Sequence, residues 1–135
     1  MSKNVSWELK IFFINNIKGT HRIAYDGSTP HQTLPIVWNW AFYESNNQTG
    51  SPDGDITAMT VLRHTAIPYA FNSDVWSKYP IGKVFGINDN STGKPSIRNT
   101  VYEPQKGDLP LPQIQGIKQL QERGALFCVC NLAIN

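Results

Sequence analysis

The chain has 135 residues, 40% of them hydrophobic, which is enough for one core and argues against a second domain. A formal net charge of +2, with the 12 Lys and Arg scattered singly, provides no basic stripe for nucleic acid and no polybasic segment for a membrane surface. No apolar run approaches the roughly 20 residues that span a bilayer, and the start, Met1-Ser-Lys-Asn-Val-Ser-Trp7, lacks the regions of a signal peptide, so the chain as written reads as cytoplasmic.

Taken in chain order, Trp7 to Ile17 mixes strand and helix signals and favours a short helix. His21-Arg-Ile-Ala-Tyr25 reads as a first strand, closed by Asp26-Gly27 and the turn residues up to Pro30. Apolar residues at Leu34, Val37, Trp38, Ala41 and Phe42 fall at helical spacing, with Thr33 as the expected cap and Pro35 in the first turn, and predict a helix to Asn46. Asn46 to Asp55 is loop-like, and Ile56 to Leu62 (ITAMTVL) is a β-branched central strand ending near Arg63-His64. A cap at Asn72 opens a short helix that puts Val75, Trp76 and Tyr79 on one side and stops at Pro80. Gly82 to Pro112 has turn signals at Gly86, Gly93, Pro95 and Pro104 and little periodicity, which predicts a long irregular loop covering a crevice or a neighbouring subunit. Gln113 to Arg123 forms a helix through Ile114, Ile117 and Leu120, stopped by Gly124, and feeds a strand over Ala125 to Cys130. Strands alternating with helices imply an α/β fold with a mostly parallel sheet in a three-layer sandwich, a single domain over 1–135.

Cys130 ends the last strand and is followed by Asn131, a good helix cap. A thiol there meets backbone N–H groups and the positive end of a helix, which favour the thiolate. The plainer reading, a small core residue, suits Cys128 better because it lies inside the run. Residues two apart on a strand project to one face with Cα atoms too distant for a relaxed bridge, so no disulfide is expected between the two. Two cysteines make no disulfide framework, which points to a reducing compartment. In a parallel sheet Asp26, Arg63, His64 and Cys130 all emerge at the carboxyl edge, where ligand crevices form. His64 could then take a proton from Cys130 or stabilise its thiolate, and Arg63 could hold an anionic group bidentately. Against this, His64 could serve a turn, Arg63 could be solvated, and Asp26 before glycine commonly builds a turn.

Other motifs carry less. Cys128, Cys130, His64 and His31 lack the paired spacing of a zinc site. Asn88 to Gly93 resembles a calcium loop faintly, but the twelfth position is Asn99 where that loop needs Glu. Trp38 and Trp76 sit on helix faces expected to pack. No glycine-rich phosphate cradle is present, so no metal and no cofactor are expected.

Leu120-Gln-Glu-Arg-Gly-Ala-Leu-Phe-Cys-Val-Cys-Asn-Leu-Ala133 resembles the helix, glycine, apolar strand, cysteine and small-residue helix of the DsrE/DsrF-like sulfur-relay superfamily. His21 to Asp26, Leu62 to Pro68, Asn72 to Tyr79 and Gly86 to Asn99 resemble an uncharacterised bacterial branch of it, often carrying a twin-arginine leader. The resemblance implies a flavodoxin-like, DsrE-like sandwich in which Cys130 binds or relays a sulfur species, with His64 beside it and Arg63, Asn131 and Asp26 around the substrate. It also implies a small sulfur compound or a sulfur-carrier protein as partner, and a periplasmic site if a leader has been removed. The family continues past the cysteine, so this chain looks truncated after its third strand. The open strand edge and the four Trp then predict a homo-oligomer. The competing function is a non-catalytic ligand-binding or assembly subunit, because no resolving thiol and no acid/base pair of known spacing is present.

Overall fold

The computed structural model describes residues 15–30 and 33–130. The chain forms β1 (His21–Gly27), α1 (Leu34–Gln48), β2 (Ile56–Leu62), a 3₁₀ segment (His64–Ala70), α2 (Ser73–Lys78), α3 (Ile81–Phe85), α4 (Ile117–Glu122) and β3 (Leu126–Val129). The parallel sheet expected from the alternation forms in the order β1-β2-β3. Its register sets His21 against Ile56 and Gly27 against Leu62 on one side, and Met59 against Leu126 and Leu62 against Val129 on the other. The helix expected over Trp7 to Ile17 lies almost wholly outside the described residues.

Strand alternation puts Ile56, Ala58, Thr60 and Leu62 on one face of β2, and α1 packs there. Its Asn39 Nδ2 donates to Ala58 O at 3.2 Å and to Thr60 Oγ1 at 3.1 Å. Contacts between α1 and α4 show that both crossovers run over this same face, as crossovers of one hand moving one way across a sheet must. The core lies beneath them, with Ile36, Leu62 and Leu120 at most 1% exposed. Burying each such side chain contributes about 2 kcal/mol. The described residues thus show two layers, sheet and helices.

Three local expectations are corrected. Thr33 does not cap α1 through its side chain; it sits in the left-handed region at φ 69° with no side-chain cap bond. The buried stripe of α1 is Pro35, Ile36, Asn39 and Tyr43, and Trp38 is 53% exposed. The helix turns this way because Asn39 finds partners on β2, which brings a polar residue inside and rotates Trp38 out. The last helix is shorter than its spacing suggests. Ile114 is buried but precedes α4, because Ile117 N–H donates to Val101 O at 2.8 Å and a Cβ on Gly116 would meet that oxygen at 2.7 Å. By contrast, Asn72 caps α2 as expected, its Oδ1 accepting from Val75 N–H at 3.1 Å.

The long segment is irregular after α3, but it packs as a unit. Arg98 donates from Nε to Asp89 at 2.9 Å and from Nη1 and Nη2 to Asp108 at 2.7 and 2.8 Å. Asn99 Nδ2 donates to the carbonyls of Tyr69 and Phe71, both at 2.8 Å, which fastens the segment to the 3₁₀ turn after β2. Val101, Leu109 and Ile114 belong to the core.

Candidate functional site at the carboxyl edge

Asp26 is the penultimate residue of β1, Arg63 follows β2 in extended conformation, and Cys130 follows β3. Alternation puts all three on the sheet face opposite α1. Arg63 N–H donates to Gly27 O at 3.0 Å and Cys130 N–H to Leu62 O at 3.1 Å, so the ladder runs one step past both strands and brings Cys130 abreast of Arg63.

Arg63 and Asp26 form a bidentate pair, Nε to Oδ1 and Nη2 to Oδ2, both 2.7 Å. The hydrogen bond from Arg63 holds the Asp26 carboxyl below its ordinary value. Reciprocally the Asp26 hydrogen bond, the Asp26 charge and, more weakly, the charge on Cys130 raise Arg63. Both side chains are largely open to solvent, at 45% and 62%. The pair therefore contributes orientation more than stability, and the remaining N–H groups of the guanidinium stay available to an anion.

His64 begins the 3₁₀ segment at φ 51°, a left-handed position that a non-glycine residue seldom adopts. Its turn is fixed by Thr65 N–H to Ser28 O at 3.1 Å and Ala66 N–H to Arg63 O at 3.1 Å. Among the described residues no hydrogen bond joins its ring to Cys130. Asn131 and His31 lie outside the described residues. Neither cysteine is in a disulfide. Cys128 is half-buried against Met59 Sδ at 3.5 Å, and burial pushes its thiol above the ordinary value.

Two cavities adjoin this edge. The larger, about 660 Å³, lies between the segment after β1 and the 86–110 chain, with Thr33, Tyr69, Asn88, Asn90, Thr100 and Asp108 among its walls. The smaller, about 360 Å³, is an apolar groove beside β3 lined by Leu62, Phe71, Ile117, Phe127 and Val129. Neither Cys130 nor Arg63 lines either one. Nothing in the spacing of the chain signals the larger cavity, because its walls come from residues up to 80 apart with no shared motif.

At the opposite edge, His21 Nε2 lies 3.0 Å from Ser51 Oγ and 3.8 Å from Asp55 Oδ2. Both contacts use one ring nitrogen, so this is no proton relay of the Ser-His-Asp type, which needs both. Among the described residues no group of three or more His, Cys, Asp or Glu side chains is placed to hold a metal ion, and no helix is long and apolar enough to cross a membrane. No family model, curated protein or solved structure matches the chain.

Proposed function

We propose that this is a DsrE-like domain, completed as a three-layer sandwich, that carries a sulfur species on Cys130. The observation that supports the reading is the row Asp26, Arg63 and Cys130, one residue per parallel strand, on one face of the carboxyl edge. In the reaction the Cys130 thiolate attacks the terminal sulfur of a persulfide donor. The donor's S–S bond breaks as the new one forms, its electron pair leaves with the donor as a thiolate, and the proton stays on the transferred sulfur. No external oxidant or reductant is needed. Asp26 holds the guanidinium, Arg63 draws the anionic donor and offsets the leaving charge, and His64 takes the proton from the Cys130 thiol before attack, leaving the thiolate that reacts. Asn131 and a sulfur-carrier partner complete the reading.

The test is intact mass after incubation with a polysulfide donor. Wild type and Cys128→Ser gain one sulfur that a reductant removes, and Cys130→Ser gains none. Transfer to Cys130→Ser, or none to wild type, defeats the relay reading. A second reading, ligand binding without chemistry at the thiol, is favoured by a cavity that Cys130 does not line.

A further inference from the structure

The larger cavity has the makings of a binding site of its own. Its volume of about 660 Å³ falls within the range of about 300–1,000 Å³ typical of small-molecule sites. Its walls are fastened from several sides. Asn90 Nδ2 donates to Gly107 O at 2.9 Å, Arg98 grips Asp108, and Asn99 holds the Tyr69 carbonyl. The site is therefore formed before anything enters it.

Thr100 is 5% exposed and Tyr69 3%, and both line the cavity, Tyr69 also forming the wall toward the groove beside β3. Among the described residues no protein group bonds either hydroxyl; the hydrogen bond that Tyr69 makes there is at its carbonyl. Hydroxyls this deep ordinarily have a partner. Nor are these two sealed in the core, since among the described residues the one fully enclosed side-chain atom without a partner is Asn39 Oδ1. Burial pushes the Tyr69 phenol up to about 12, so it stays protonated and able to donate.

The charges in the walls restrict the ligand further. The described lining residues include no Lys, Arg or His. Asp108 is their one carboxylate, and its oxygens are taken by Arg98 at 2.7 and 2.8 Å and by Gln105 N–H at 2.6 Å. Among these described residues a charged ligand of either sign finds no free counter-ion and would lose its hydration uncompensated. What remains is a set of groups that both donate and accept, the hydroxyls of Tyr69 and Thr100 and the carboxamides of Asn88 and Asn90, beside the apolar surfaces of Ile87 and Leu109.

We propose that this cavity binds a neutral polyhydroxylated molecule of the sugar class, whose hydroxyls pair with Tyr69, Thr100, Asn88 and Asn90 and whose C–H face lies on the apolar wall. The proposal deepens the ligand-binding reading. It is independent of sulfur transfer, which is read on Cys130, so either can fail alone.

The experiment is titration of the full chain with D-glucose and D-ribose, and with D-gluconate as the charged comparison, followed by amide chemical shifts. It is repeated on Thr100→Val, Tyr69→Phe and Thr100→Ser. Because the two hydroxyls have no partner among the described residues, these substitutions break no hydrogen bond seen in the fold, and unchanged melting verifies that. The expected result is saturable binding of at least one neutral sugar at millimolar concentration with shifts confined to the cavity walls, and weaker binding of gluconate. Loss of either hydroxyl weakens binding about five-fold, and Thr100→Ser restores it. No binding of either sugar, gluconate binding as tightly as glucose, or undiminished affinity in both Thr100→Val and Tyr69→Phe overturns the proposal.

Discussion

Arg123 closes the edge of the molecule opposite the candidate site. Its guanidinium donates from Nε to Asp53 at 2.9 Å, from Nη1 to Glu44 and Gln115 at 2.7 Å each, and from Nη2 to Asn47 at 2.5 Å, and it lies 4.9 Å from the centre of the Tyr43 ring. One side chain thus ties α1, the turn before β2 and α4 together. A lysine cannot reproduce the fork or the stacking. Arg123→Lys should therefore lower stability by about 2 kcal/mol, read as a lower urea midpoint at unchanged slope; an unchanged midpoint would show that the cluster is only decorative. The Arg123 hydrogen bond also holds the Asp53 carboxyl below its ordinary value. A lowered folded value contributes stability that is present above the unfolded value and lost as pH falls through the folded one. The gap between variant and wild type should accordingly narrow in acid, below the ordinary aspartate value. Nothing in the spacing of residues 44, 47, 53, 115 and 123 announces this cluster, because it exists only once three elements have met.

At the scale of elements, what is legible is what local chemistry dictates. Ile56 to Leu62 is a β-branched apolar run and forms β2 with the expected bounds. Asn72 is followed three residues later by an N–H it can cap, and α2 starts there. Tertiary partners decide the rest. The face of α1 turns on Asn39, which spacing counts as polar and therefore outward, whereas β2 supplies acceptors for it inside. The segment after α3 has no periodicity to read, yet its order comes from long-range polar bonds. Arg98 links two aspartates, and Gly82 lets α3 approach Ser96 so closely that an added Cβ would meet its backbone at 2.3 Å. The Asp26, Arg63 and Cys130 row was legible because strand ends in a parallel sheet converge by topology alone. The cavity behind Thr100 was not, because loops build it.

At the scale of the whole molecule, β1 and β3 are the sheet's edges among the described residues, and the apolar groove runs beside β3. An unpaired edge next to apolar surface is a template for another strand. We propose that a second copy pairs there, so sedimentation should report a dimer or larger species, and Phe127→Lys should dissociate it while its far-UV circular dichroism stays that of the folded chain. A monomer at micromolar concentration would refute the association. The central claim concerns the carboxyl edge, and the most direct measurement is the alkylation rate of each thiol in the native protein as a function of pH. The account predicts that Cys130 reacts faster than Cys128 at neutral pH, and that Arg63→Gln slows Cys130 about three-fold by removing the neighbouring charge. Cys128, its thiol pushed up by burial, should be the slower of the two until the protein unfolds. Equal rates for the two thiols, reaction only after unfolding, or a Cys130 rate indifferent to Arg63→Gln would contradict it.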